Sequence, residues 1–121
     1  MRVLIVEDAD ALRGLFARVI RRHGFDVCEA CDGLEAIDCL IRFDPDLVLT
    51  DLMMPGLDGL GLLRRLRETP GLERIPVVIM TAAPTPETEM AVFRAGEAYL
   101  LAKPIDLADL IGYLARYRGG G

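Results

Sequence analysis

Acidic, hydroxyl and lysine side chains stand at the ends of four short apolar runs in this 121-residue chain. They are Glu7 with Asp8 after the first of these runs, then Asp51, Thr81 and Lys103 after three later ones. If the runs are parallel β-strands, their carboxyl ends lie along one edge of a sheet, where open sheets of this kind bind ligands. The spacing therefore predicts that the five side chains converge on one polar site.

The residue types at this edge indicate a particular chemistry. Carboxylates that lie close together raise one another's pKa unless a cation neutralises them. Acids that offer only oxygen ligands favour a hard cation such as Mg²⁺. Lys103 would add a second positive charge for a phosphoryl group, and an aspartate can act as a covalent nucleophile. The set of residues predicts Mg²⁺-assisted phosphoryl transfer to an aspartate.

Five apolar runs alternate with five amphipathic segments along the chain. The runs are nearly continuous in apolar residues and rich in Val, Leu and Ile, which is typical of strands buried on both faces. They are Val3–Val6, Val27–Ala30, Leu47–Thr50, Val77–Met80 and Ala98–Ala102. This alternation predicts one α/β domain with a doubly wound (βα)5 fold, in which helices cover both faces of a five-stranded parallel sheet.

The segments between the runs carry the marks of helices. In the second segment, apolar residues recur at helical spacing and form a stripe predicted to face the core: Leu34, Ile37, Leu40 and Ile41. Residues that can cap a helix stand at the starts of the five segments: Asp10, Asp32, Asp58, Thr85 and Asp106. The sequence thus predicts five capped helices.

Composition and charge exclude several classes of protein. Hydrophobic residues make up 52% of the chain and charged residues 27%, a balance typical of a globular domain. The longest uncharged run has 12 residues, whereas a membrane span needs about 18 or more. The chain opens without a secretory signal, so we expect a cytoplasmic protein without membrane contact. Its net charge of −5 disfavours direct binding of nucleic acid.

The three cysteines do not suggest a disulfide framework. Cys28 and Cys31 form a C-x-x-C pattern at the end of an extended run, where residues three apart lie about 10 Å from each other. That distance is too long for a disulfide. Because no second Cys/His pair is present for zinc, the cysteines are interpreted as structural or incidental.

Four segments together resemble the receiver domain of two-component response regulators. They read VLIVED, PDLVLTDLMMPGLDGL, PVVIMTA and AGEAYLLAKP, in the order and at the spacing of that family, and the resemblance covers about residues 2–118. It implies a flavodoxin-like strand order of 2-1-3-4-5. It also implies a receiver domain over residues 1–118, followed by a glycine tail or linker stub over 119–121.

The resemblance implies a role for each acidic residue. Asp51 would be the phospho-acceptor. Mg²⁺ would be held by the carboxylates of Glu7, Asp8 and Asp51 and by the main-chain carbonyl of Met53. Mg²⁺ is therefore the expected cofactor.

The resemblance also implies how the phosphoryl group would be sensed. Thr81 would be the switch hydroxyl, Lys103 would bind the phosphoryl group, and the Lys103–Pro104 peptide bond would be cis. An aromatic residue usually lies three positions before this lysine, but here that position is Leu100 and the tyrosine is Tyr99. Because strand side chains alternate between faces, we expect the usual aromatic coupling to be absent or weakened.

The implied function is signal transduction. The chain would take a phosphoryl group from a phosphohistidine of a sensor histidine kinase or phosphotransfer protein. It would then change conformation to control a protein target or a fused output domain. Such a protein catalyses its own modification and is not a turnover enzyme.

Two other functions stay open. Asp8-Ala9-Asp10 resembles the D-x-D motif of haloacid-dehalogenase-type phosphohydrolases, although Leu12 departs from that pattern and 121 residues leave no room for a cap domain. The chain could also be a docking module that is never phosphorylated. The presence of all five site residues argues against this second alternative.

Overall fold

Five strands and five helices alternate along the chain. The computed structural model describes residues 1–54 and 56–119. The strands are β1 (Arg2–Val6), β2 (Asp26–Ala30), β3 (Leu47–Asp51), β4 (Val77–Thr81) and β5 (Tyr99–Ala102). The helices are α1 (Asp10–Arg22), α2 (Gly33–Phe43), α3 (Gly59–Glu68), α4 (Pro86–Ala95) and α5 (Leu107–Gly119). All five predicted strands are confirmed, each to within one residue at one end.

The strands form one parallel sheet in the order β2-β1-β3-β4-β5, which confirms the predicted topology. The order reverses between β1 and β3, and this point is where an open α/β sheet binds its ligands. The register pairs Val6 with Thr50, Asp51 with Met80, and Thr81 with Ala102. The carboxyl ends of β1, β3, β4 and β5 therefore lie side by side.

Alternate residues of the central strands fill two apolar cores, one on each face of the sheet. Leu4 and Val6 belong to the core that includes residues of α2, α3 and α4, whereas Val3 and Ile5 belong to the core with α1 and α5. Burying each such side chain contributes about 1.5–3 kcal/mol. The two cores hold the central strands firmly, and with them the residues at the strand ends.

Four of the predicted helix caps are confirmed, and one is wrong. The side chains of Asp32, Asp58, Thr85 and Asp106 each accept a hydrogen bond from the backbone amide three residues later. Asp10 instead occupies the first turn of α1, whose N-cap is Ala9. Acidic residues are favoured both as caps and in the first turn, so the sequence pattern does not distinguish these positions.

The predicted core face of α2 is also wrong in part. Leu34 and Ile41 are largely exposed, and the buried residues of the helix are Gly33, Ala36, Cys39 and Leu40. At Gly33, a Cβ atom would lie 2.5 Å from the Cβ of Leu57. Close approach of the backbone selects the buried face of α2, and small residues allow that approach.

The cysteines correct another expectation. Cys28 of β2 is joined to Cys39 of α2 in a disulfide, and Cys31 is a free thiol. The C-x-x-C pattern contains Cys28 and Cys31, whereas the partner of Cys28 is Cys39, which lies on the small-residue face of α2 that packs against β2. The Cα atoms of Cys28 and Cys39 are 6.7 Å apart, within the range of a disulfide.

The end of the chain bears on the predicted domain boundary. Helix α5 ends at Gly119, and the other two residues of the predicted glycine tail lie outside the described residues. The boundary at residue 118 therefore stays a prediction. None of the helices within residues 1–54 and 56–119 is long and apolar enough to cross a lipid bilayer.

Candidate functional site

Glu7 is a buried acid directly after β1. Only 1% of its surface is exposed. Its backbone amide donates to the Ala30 carbonyl at 3.0 Å, and its Oε2 accepts a hydrogen bond from the Ala9 amide at 3.2 Å. Its Oε1 has no hydrogen-bond partner among the residues that the structure describes. A buried carboxylate oxygen without such a partner carries a desolvation cost that a cation can offset.

The surroundings of Glu7 disfavour its negative charge. Burial raises the pKa of Glu7, and the side chain of Asp8 and the charge of Asp51 raise it further. The Ala9 amide and Lys103 lower this pKa and oppose the shift in part. A divalent cation bound here would favour the ionised form of Glu7.

Asp51 is the last residue of β3 and is 7% exposed. The next residue extends the pairing with β4, because the Leu52 amide donates to the Met80 carbonyl at 2.9 Å. Helix α3 begins close to this strand end: a Cβ atom on Gly59 would lie 2.5 Å from the main-chain oxygen of Asp51. Gly59 therefore permits the tight packing that holds the end of β3.

The three predicted acids come together. A carboxylate oxygen from each of Glu7, Asp8 and Asp51 lies within 4.8 Å of the others, and Asp8 is the exposed member. The donor set contains only oxygen, which suits Mg²⁺. Together with the Glu7 oxygen that lacks a hydrogen bond within the described residues, this donor set fits a hard divalent cation. Met53 follows two residues after Asp51, with its side chain largely exposed.

Lys103 brings a positive charge from the edge of the sheet. Its Nζ lies 3.1 Å from Asp51 Oδ1 and 3.6 Å from Glu7 Oε1. Burial lowers the pKa of Lys103, but the hydrogen bond and charge of Asp51 and the charge of Glu7 raise it above its ordinary value overall. Lys103 is followed by a cis peptide bond to Pro104. The ammonium is therefore held beside the acids in its charged form.

Thr81 ends β4 and is buried. Its Oγ1 accepts a hydrogen bond from the Ala83 amide at 3.1 Å, and its carbonyl accepts from the Lys103 amide at 2.8 Å. These contacts tie Thr81 both to the loop after β4 and to the residue that carries the site's lysine. A movement of Thr81 would therefore affect both segments.

Tyr99 and Leu100 lie on opposite faces of β5. The Tyr99 ring stacks on Tyr113 of α5, with centroids 4.3 Å apart and planes 14° apart. Leu100 packs against the core on the α2, α3 and α4 side. The residue three positions before the lysine therefore has no aromatic ring, and the nearby tyrosine is held on the other face.

Asp10, the second acid of the D-x-D pattern, behaves differently from the site acids. The side chain of Asp10 is 86% exposed and forms an ion pair with Arg13 at 2.7 Å. Arg13 itself was missed by sequence reasoning. Its Nη1 donates to the Glu7 carbonyl at 2.9 Å. The available signal was its place one helical turn after Ala9, which brings a long cationic side chain back over the loop.

Comparison with known proteins agrees with this arrangement. A family model described as the response regulator receiver domain matches residues 3–115. Response regulator MprA of Mycobacterium avium is 38% identical over 118 residues, which are 98% of this chain and 50% of MprA. Sensory/regulatory protein RpfC of Xanthomonas campestris is 36% identical over 117 residues, which are 95% of this chain and 16% of RpfC. The chain thus spans half or less of the length of these two relatives.

A solved structure shows the same fold. Chemotaxis protein CheY4 of Vibrio cholerae superimposes with a TM-score of 0.90 and 25% sequence identity, covering 95% of this chain and 96% of that one. The parallel sheet with acids at its carboxyl edge defines a phosphoryl-accepting signalling module. The chain belongs to the response regulator receiver domain family. Proteins of this family bind Mg²⁺ through acidic residues and act with histidine kinases or output domains.

Proposed function

We propose that Asp51 accepts a phosphoryl group in a Mg²⁺-dependent reaction and that the modified chain controls a protein partner or an output domain. The observation that carries the proposal is the position of the Asp51 carboxylate. It is almost fully buried, lies in a cluster of three acids, and has the Lys103 ammonium 3.1 Å away. The acids that can hold Mg²⁺ and the Lys103 ammonium thus lie around one nucleophilic carboxylate, as phosphoryl transfer requires.

The carboxylates of Glu7, Asp8 and Asp51 would hold Mg²⁺, with the Met53 main-chain carbonyl as a further ligand. The ion would neutralise negative charge on the oxygens of the transferred phosphoryl group. The ion would also offset the burial of the Glu7 carboxylate, which is the main cause of its raised pKa, and the repulsion from Asp51 that adds to it.

In the proposed reaction, an Asp51 carboxylate oxygen attacks the phosphorus of a phosphohistidine. A new oxygen–phosphorus bond forms as the phosphorus–nitrogen bond breaks, and the electron pair of that bond returns to the imidazole of the donor. Lys103 then moves its contact from the Asp51 carboxylate to a phosphoryl oxygen. Later attack by water releases phosphate and restores the carboxylate.

Thr81 is the proposed sensor of the new group. Its hydroxyl would turn its proton toward a phosphoryl oxygen, and the bond that it accepts from the Ala83 amide would transmit a movement of Thr81 to the following loop. The loop between β4 and α4 would change with it. This change would present a different surface to a partner, which is how modification becomes a signal.

The proposed donor is a sensor histidine kinase or a phosphotransfer protein, and the proposed location is the cytoplasm. We assign the receiver function to residues 1–118, with residues 119–121 as a tail or linker. The reaction is a stoichiometric modification rather than catalytic turnover. The proposal includes no direct contact with nucleic acid or membrane.

Labelling with acetyl phosphate and Mg²⁺ tests the proposal. Intact mass spectrometry should show one phosphoryl group on the wild type, and none on an Asp51→Asn variant or without Mg²⁺. An Asp10→Asn variant serves as the control and should be labelled like the wild type. Full labelling of Asp51→Asn would overturn the proposal.

Two further assays separate the two alternatives. Steady turnover of a generic phosphomonoester that is lost in Asp10→Asn would favour a phosphohydrolase that uses Asp8 and Asp10. The exposure of Asp10 and its pairing with Arg13 speak against that role. A wild type that binds Mg²⁺ but is never labelled, even by a phosphohistidine donor, would favour a docking module.

A further inference from the structure

Arg13 connects three parts of the molecule beside the acidic cluster. It is partly buried on α1, and its guanidinium reaches an acceptor in each of three segments. Nη1 donates to the Glu7 main-chain carbonyl at 2.9 Å, and Nη2 lies 2.7 Å from Asp10 Oδ1. Nε lies 3.5 Å from Glu29 Oε1 on β2. The guanidinium therefore joins the loop after β1 to α1 and to the neighbouring strand.

The acceptor on Glu7 is the carbonyl of the peptide bond that leads into Asp8. The amide of Glu7 is already fixed by the Ala30 carbonyl, and its Oε2 accepts from the Ala9 amide. The bond from Arg13 fixes the remaining polar group of this residue's backbone. The Arg13 contact is therefore made to the carbonyl of the same peptide whose amide belongs to Asp8.

We propose that Arg13 is a positioning residue for Mg²⁺ binding, because it holds the Glu7–Asp8 peptide so that both acids face Asp51. The inference rests on the proposed function, since it concerns how this chain prepares the same acidic cluster. Arg13 does not touch the reacting atoms in this account. It acts through the backbone of the two acids.

The role requires the shape of an arginine as well as its charge. A planar guanidinium has several N–H donors at fixed angles and can serve separate acceptors at once. A lysine offers one compact ammonium at the end of a flexible chain. Lysine at position 13 would keep the charge but would not bridge the Glu7 carbonyl, Asp10 and Glu29 together.

Positioning and simple electrostatics predict opposite results. Removing a positive charge near an acidic cluster would by itself strengthen the binding of a cation. Loss of a positioning contact would weaken it, and partners that orient metal ligands typically contribute about 10–100-fold in affinity. The sign of the change in Mg²⁺ affinity therefore distinguishes the two effects.

The chain offers a matched control in Arg21. Arg21 also lies on α1 and pairs with Glu29, at 3.3 Å, and it donates to the Val27 carbonyl rather than to Glu7. Arg21→Gln removes one positive charge and the pairing with Glu29, both of which Arg13→Gln also removes. Arg13→Gln additionally removes the pairing with Asp10 and the contact with the peptide before Asp8, and Asp10→Asn controls for the loss of the Asp10 pairing.

The experiment is a Mg²⁺ titration by calorimetry at fixed ionic strength. We expect Arg13→Gln to weaken Mg²⁺ binding about tenfold. Arg13→Lys should recover little of this loss, and Arg21→Gln should stay close to the wild type. Hydrogen exchange in metal-free protein gives a second readout, in which the Asp8 and Ala9 amides should exchange faster in Arg13→Gln. If Arg13→Gln does not fold, Arg13→Lys carries the test alone, because it should weaken binding while its charge is unchanged.

The outcomes separate this inference from the proposed function. Mg²⁺ affinity that is unchanged or higher in Arg13→Gln, or fully restored in Arg13→Lys, would overturn the inference. Equal weakening in Arg21→Gln would also overturn it. If wild type is labelled at Asp51 in these cases, the proposed function stands and only the role of Arg13 fails. A wild type that binds no Mg²⁺ would overturn both.

Discussion

The central strands and the edge strand β5 contribute different kinds of group to the site. Glu7 and Asp51 come from the ends of β1 and β3 and are 1% and 7% exposed. Lys103 follows β5, whose residues are all partly or fully exposed, and its side chain is 26% exposed. Two of the three acids thus follow or end well-buried central strands, and the positive charge follows the least buried strand.

The difference follows from the neighbours of each strand. β3 and β4 are buried along their whole length and pair with strands on both sides. β5 pairs only with β4, so fewer contacts oppose its movement. Segments with fewer buried contacts open at lower free energy. In the proposed reaction we therefore expect the buried acids to keep their positions, and we expect the lysine after the edge strand to move with the phosphoryl group.

Replacing Lys103 is the strongest way to break this comparison. Lys103→Met should slow labelling of Asp51 by acetyl phosphate about 100-fold or more, because a preorganised charge at the transferring group is lost. Mg²⁺ affinity should not fall, since the positive charge 3.1 Å from Asp51 Oδ1 is gone. The rate of labelling is measured by stopping the reaction at intervals and determining the labelled fraction by intact mass spectrometry. A normal labelling rate in Lys103→Met would contradict the role of the edge strand.

The convergence of acids and lysine could be predicted from the sequence because it depends only on topology. Once five apolar runs are parallel strands, Glu7, Asp51 and Lys103 must reach the same edge of the sheet. The strands themselves are recognised from their continuous apolar composition. No detail of packing is needed for this part of the site.

Other features depend on close approach and were not predictable from patterns of residue type. The buried face of α2 is selected by Gly33 against Leu57, and the Cys28–Cys39 pair follows from the same packing. The bond from Arg13 to the Glu7 carbonyl requires the actual path of the loop after β1. A sequence pattern reports the polarity of a side chain but not which backbone atom it meets.

Glu7→Gln sharpens the description of the central strands. The amide has the same shape without the buried charge, so in metal-free protein at neutral pH we expect unfolding to require about 1–3 kcal/mol more free energy than in the wild type. Urea unfolding with a chelator measures this difference. The exposed Glu73→Gln is the control and should change nothing. In the presence of Mg²⁺, the difference in unfolding free energy between Glu7→Gln and the wild type should shrink or change sign, because Glu7 is a proposed ligand of the ion.

The pH dependence of this difference has a definite sign. Because burial raises the pKa of Glu7 in the folded protein, the folded state favours its protonated form. The stability that this group contributes is present below its ordinary pKa of 4.5 and is lost as the pH rises through the folded value. The advantage of Glu7→Gln should therefore grow from pH 4.5 toward neutrality. If the stability advantage of Glu7→Gln became smaller over this pH interval, the raised pKa of Glu7 would be contradicted.

The smallest expected effect concerns the two faces of β5. The chain has no tryptophan, so Leu100→Trp and Tyr99→Trp each introduce one fluorescent reporter. Beryllofluoride with Mg²⁺, which stands in for the phosphoryl group, should change the emission at position 100, on the face toward α4. The emission at position 99 should change less, because that side chain is held at Tyr113. A larger change at position 99 would show that the signal leaves through the α5 side.

The most direct test of the account is a crystal structure of the protein with Mg²⁺ and beryllofluoride. We expect beryllium bonded to an Asp51 carboxylate oxygen, with Lys103 Nζ and Thr81 Oγ1 both in contact with its fluorine atoms. The Glu7 and Asp8 carboxylates should keep their positions, while β5 and the loop after β4 shift toward Asp51. Beryllofluoride bound at Asp8 or Asp10, or bound at Asp51 without Lys103, would contradict the central claim that fixed acids and a mobile edge lysine serve one phosphoryl group.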